Sequence, residues 1–119
     1  MNIEDLYQYC LQKKGATESF PFGEDTLVFK VGGKLFLLAG LQEGNRFNAK
    51  CDPDYALELR ERYDEIKPGF HMNKKHWNTV RIDGQLPARL VRELIDHSYQ
   101  LVFDSLPKAT REEINATTS

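Results

Sequence analysis

Two glycine-bearing dipeptides, Gly32-Gly33 and Gly44-Asn45, cut residues 26–51 into three short apolar-rich runs. This punctuation constrains the fold more than any other feature of the chain. Two-residue hairpin turns need positive φ, which glycine and asparagine supply. Thr26–Val31, Lys34–Leu41 and Arg46–Cys51 are therefore expected to form a three-stranded antiparallel meander. If both turns hold two residues, Val31 faces Lys34 and Glu43 faces Arg46. Alternation then gives one face Leu27, Phe29, Val31, Phe36, Leu38, Phe47 and Ala49, which must be covered. The other face carries Val28, Lys30, Leu35, Leu37, Leu41, Arg46, Asn48 and Lys50, a mixture of cations and aliphatics.

Helical periodicity supplies the cover. A first helix is expected over Ile3–Lys13, capped by Asn2, with Glu4 and Asp5 at the positive end of its dipole. Phe20-Pro21-Phe22-Gly23 reads as a turn-rich entry to the meander. Asp52 and Pro53 are a natural cap and first residue for a second helix to about Tyr63. Pro68-Gly69 opens an irregular loop, and Thr79–Ile82 alternates like a strand before the Asp83-Gly84 turn. A long helix runs from Pro87 to Ser105, with Leu90, Val91, Leu94, Ile95, Tyr99, Val102 and Leu106 on its apolar stripe. Pro107 ends it; a short amphipathic turn to Ile114 follows, and residues 115–119 read as a frayed tail. The expected architecture is one α+β domain over residues 1–119, an antiparallel β-sheet with helices packed on one face.

Charge restricts function. The net charge is −2, so attraction of the whole protein to polyanions is not expected. One segment departs from this balance. Residues 66–82 hold Lys67, Lys74, Lys75 and Arg81 and no carboxylate, which leaves the rest of the chain at −6. The same segment holds His71, His76 and the single tryptophan, Trp77. Lys74 and Lys75 can meet phosphates, Asn73 and Asn78 can donate hydrogen bonds, and Trp77 or Phe70 can stack on a base. Alternatively, Trp77 is a core anchor, Asn73 caps a helical turn and the lysines are merely solvated. A second candidate surface is Lys30, Arg46 and Lys50 on the mixed sheet face.

Other chemistries find little support. His71 and His76 are five residues apart, not an i, i+4 pair, and no Cys or carboxylate beside them completes a zinc shell. No phosphate-binding loop or nucleophile elbow is present, so no cofactor is implied and no enzyme is expected. Cys10 and Cys51 each sit in an apolar pattern without paired spacing, and buried reduced thiols suit a reducing compartment. The acidic first residues lack an apolar signal region and no run approaches a membrane span, so a cytoplasmic location is expected, with no membrane partner.

The string Pro68-Gly69-Phe70-His71-Met72-Asn73-Lys74-Lys75-His76-Trp77-Asn78-Thr79-Val80 resembles the signature of the MmcQ/YjbR family. So do Phe20–Val31 and Lys50-Cys51-Asp52-Pro53, in matching order from about Met1 to Leu106. The resemblance implies a frataxin-like (CyaY-like) fold and a DNA-binding, "double wing" description. On matching positions it points to Lys74, Lys75, His76 and Trp77 without giving each a role. Iron handling through an acidic ridge, the rival that a frataxin-like fold raises, is disfavoured because the first helix offers only Glu4 and Asp5. Two functions remain in competition. One is a DNA-binding module with weak, salt-dependent affinity. The other is a small-molecule or protein-interaction domain, including self-association, prompted by Leu35, Leu37 and Leu41.

Overall fold

The computed structural model describes residues 1–42 and 44–116. Its elements are α1 (Ile3–Leu11), β1 (Ala16–Ser19), β2 (Thr26–Val31), β3 (Lys34–Gly40), β4 (Arg46–Lys50), α2 (Pro53–Arg62), β5 (Ile66–Pro68), β6 (Trp77–Arg81), α3 (Ala88–Asp104) and α4 (Lys108–Ala116). The strands form one antiparallel sheet in the order β1-β2-β3-β4-β6-β5. The helices cap as the sequence dictates. Asp5 N–H donates to Asn2 Oδ1 at 2.7 Å, and Asp5 returns the bond to the Asn2 N–H. Tyr55 N–H donates to Asp52 Oδ2 at 3.2 Å, with Pro53 as the first residue of α2.

The core lies between the sheet and α1, α2 and α3. Phe29, Phe36 and Phe47 are buried there with Leu6, Cys10, Val91 and Ile95. The first turn has the expected form: Gly32 and Gly33 take φ of 57° and 80°, and Val31 pairs with Lys34.

Two features depart from a simple meander. In β3, Leu37 pairs with Phe29 but Leu35 pairs with Lys30, so Phe36 is an extra residue in a bulge. The bulge turns the rest of β3 over. Leu37 and Ala39 enter the core, whereas Leu38, expected there, lies on the opposite face. Ser98 of α3 sits against this irregularity. Its hydroxyl donates to the Phe36 carbonyl and accepts from the Lys50 N–H at 2.8 Å.

The second turn is longer than two residues. The last β3–β4 pair is Ala39↔Phe47, and residues 41–45 connect the strands. The expected partner of Arg46, Glu43, lies outside the described residues. Bulge and loop offset each other, so Phe47 and Ala49 reach the core face as expected.

The remaining differences are at the margins. β1 and β5 form edge strands that the sequence did not announce, β6 begins at Trp77, and Asn115 and Ala116 are helical rather than frayed. Residues 117–119 lie outside the described residues. Among the described residues, no helix is long and apolar enough to cross a membrane.

Candidate functional site

Because α1, α2 and α3 all pack on one side, the other sheet face carries no helix among the described residues. Register defines it. Val28, Leu38, Asn48, Thr79 and Lys67 form one continuous cross-strand row over five strands. On one side of that row Lys50 pairs with Trp77; on the other, Arg46 pairs with Arg81. Lys30 belongs to the same face through its alternation with Val28. Five cations thus occupy strand positions of this face, and none of these positions holds a carboxylate. Glu18, which pairs with Phe29, lies on the helix side and accepts a bond from Tyr7 Oη at 2.6 Å.

The segment from Gly69 to His76 joins β5 to β6, and its Phe70–Met72 part folds back over β4 and β6. Phe70 N–H donates to Thr79 Oγ1 at 2.9 Å, and Asn48 Nδ2 donates to the Phe70 carbonyl at 3.2 Å. The Thr79 hydroxyl in turn donates to Asn48 Oδ1. Gly69 allows this approach, since a Cβ there would lie 2.8 Å from Trp77 Cβ. Arg60 of α2 fastens the segment from beneath. Its Nε donates to Asn78 Oδ1 at 2.7 Å, and its Nη2 donates to the Trp77 carbonyl at 3.2 Å and to the Lys74 carbonyl. His71 is held at φ 60°, a left-handed conformation costing a β-carbon residue roughly 1–2 kcal/mol.

These contacts assign the sequence candidates. Asn73 is a cap, its Oδ1 accepting from the N–H groups of Lys75 and His76 at 3.0 and 3.2 Å. Trp77 is half-buried on the helix-free face, so it is not a core anchor. Lys67, Lys74 and Lys75 are exposed. One N–H of the Lys74 ammonium is used on the Gly69 carbonyl at 2.8 Å, which leaves two others. Among the described residues, neither Lys74 nor Lys75 is in an ion pair. Arg81 is partly neutralised, with Nη2 3.1 Å from Asp83 Oδ1. His76 gives its carbonyl to the Cys51 N–H, and His97 accepts from the Asp52 N–H at 3.1 Å. No group of three or more His, Cys, Asp or Glu suited to a metal ion occurs among the described residues. Cys10 and Cys51 are free and buried, and burial pushes both thiols up to about 12.

The face also holds a cavity of about 430 Å³. Leu38, Asn48 and Thr79 floor it, while Phe22, Phe70 and Met72 contribute its walls. Phe22, Leu38, Met72 and Thr79 were not among the sequence candidates, and neither was Arg60. Phe22 had a visible signal, an aromatic in a Pro/Gly turn. The Asn48–Thr79 contact spans 31 residues and had none.

The YjbR family model matches residues 11–101. The protein YbdF of Escherichia coli O157:H7 is 43% identical over 96 residues, covering 80% of this chain and 79% of that one. YjbR of Escherichia coli K12 is 35% identical over 113 residues, 94% of this chain and 96% of that one. The crystal structure of Deinococcus radiodurans protein DR2400 superposes with a TM-score of 0.90 at 40% identity, covering 98% of this chain and 90% of that one. Matched by the family model over most of its length, and sharing its fold with a solved relative, the chain belongs to the YjbR family.

Proposed function

We propose that the helix-free face and the segment above it form a nucleic-acid-binding surface, and that the protein binds without catalysing a reaction. One observation carries this reading. Lys30, Arg46, Lys50, Lys67 and Arg81 share a sheet face whose strand positions contain no carboxylate, on a chain of net charge −2. A sorted distribution of this kind attracts a polyanion to one side only. Trp77 beside Lys50 supports the reading, since an aromatic next to a phosphate-binding cation is a common arrangement on single-strand-binding surfaces.

The lysines 50, 67, 74 and 75 offer about four phosphate contacts. On duplex DNA the slope of log K against log salt would then be near −3.6, with weak binding at physiological salt. The K74E/K75E double variant should reduce the slope by about two units and lower affinity at every salt concentration. A variant that keeps the wild-type affinity and slope would refute the reading. The cavity favours a second reading, a binding site for a free small molecule, because its volume falls in the range typical of ligand pockets.

A further inference from the structure

The cavity is bordered by two large rings held in solvent. Phe22 is 70% exposed and Phe70 61% exposed. Single exposed aromatics are ordinary. Two of them lining one cavity from separate turns are a different matter. Phe22 comes from the β1–β2 turn and Phe70 from the loop anchored by Asn48 and Thr79. On the floor, Asn48 uses one amide N–H on the Phe70 carbonyl and one lone-pair direction on Thr79. Its inventory holds a second N–H and a second lone pair. Gly40 also lines the cavity, and a Cβ there would meet nothing within 4 Å.

We infer that this cavity receives one unstacked nucleobase of a single strand. The inference rests on the reading of the face as a nucleic-acid surface and narrows its ligand. A volume of about 430 Å³ admits a planar heterocycle. Aromatic walls stack on the π-face that every base presents. The amide floor offers both a donor and an acceptor to a base edge. Charge sets the direction of the backbone. Glu24 and Asp25 follow Phe22 on one side, whereas Lys67, Lys74 and Lys75 lie on the side of β5, β6 and their loop. Phosphates therefore run along the lysine side with a base turned inward. A base inside a duplex cannot enter without leaving its stack, so single strands are preferred.

The test compares a short single-stranded oligonucleotide, a duplex of equal length and a mononucleotide, each by fluorescence titration at low and near-physiological salt. The wild type should bind the single strand more tightly than the duplex. Phe22→Ala, Phe70→Ala and the cavity-filling Gly40→Val should each weaken single-strand binding, between about fivefold and a hundredfold. Duplex affinity should fall by less than single-strand affinity, with unfolding midpoints confirming intact folds. Equal affinity for single strand and duplex, unmoved by these variants, would overturn the inference and leave the polyanion surface standing. Absence of salt-dependent binding to either polymer would overturn both. A mononucleotide that binds as tightly as the oligonucleotide would overturn the strand assignment in favour of a small-molecule site.

Discussion

At the scale of single residues, backbone conformation and burial make the sharpest predictions. Gly32 and Gly33 both have positive φ, but a Cβ on Gly32 would lie 2.6 Å from Leu106 Cδ1, whereas one on Gly33 meets nothing within 4 Å. Gly33→Ala should cost only the left-handed penalty, roughly 1–2 kcal/mol. Gly32→Ala should cost more, on the order of 2–4 kcal/mol, because the buried Leu106 must also move. Urea midpoints of the two variants check the order. The buried thiols give a pH window. Cys10 and Cys51 are raised from 9.0 to about 12, so both stay neutral in the folded state where the unfolded chain ionises. Their contribution is intact below pH 9 and is lost as pH rises from 9 towards 12. The slope is on the order of 1.4 kcal/mol per pH unit for each thiol. Tyr9, also raised to about 12, adds to the loss above pH 10. Stability measured by urea unfolding across pH 8–11, and found flat, would contradict this.

At the scale of elements, one hydroxyl links the loop to the sheet at two points. Thr79 Oγ1 accepts from Phe70 N–H and donates to Asn48. Thr79→Val keeps the shape but leaves both partners unpaired, which should cost roughly 1–3 kcal/mol. The loss should be local, so hydrogen exchange at the Phe70 amide should quicken while amides of α3 keep their protection. Uniform loss of protection would show that the contact holds the whole sheet rather than the loop. The same elements show how much the sequence revealed. α1, α2, α3 and the meander were legible because caps, periodicity and glycine turns are local signals. The bulge at Phe36 was not, since it depends on Ser98 arriving from α3, 62 residues later in the chain. Its effect was to exchange Leu37 and Leu38 between faces, and so to hide the cavity floor. The basic segment was legible as charge, but its loop geometry was not, because Arg60 and Asn48 reach it from other elements.

At the scale of the whole molecule, the helices cover one face of the sheet, and among the described residues none covers the other. That face gathers Lys30, Lys50, Lys67, Trp77 and the cavity on one side of a chain that is acidic overall. Lys67, Trp77 and Arg81 of the basic segment share one sheet face with Lys30, Arg46 and Lys50, which local sequence patterns kept separate. The most direct test is a backbone-amide NMR titration of the intact chain with a short oligonucleotide at two salt concentrations. Shifts should concentrate at Phe22, Leu38, Asn48, Phe70, Lys74, Lys75 and the Trp77 indole, and should shrink as salt increases. Shifts centred on the outer surfaces of α1 and α3, or none at either salt, would contradict the account.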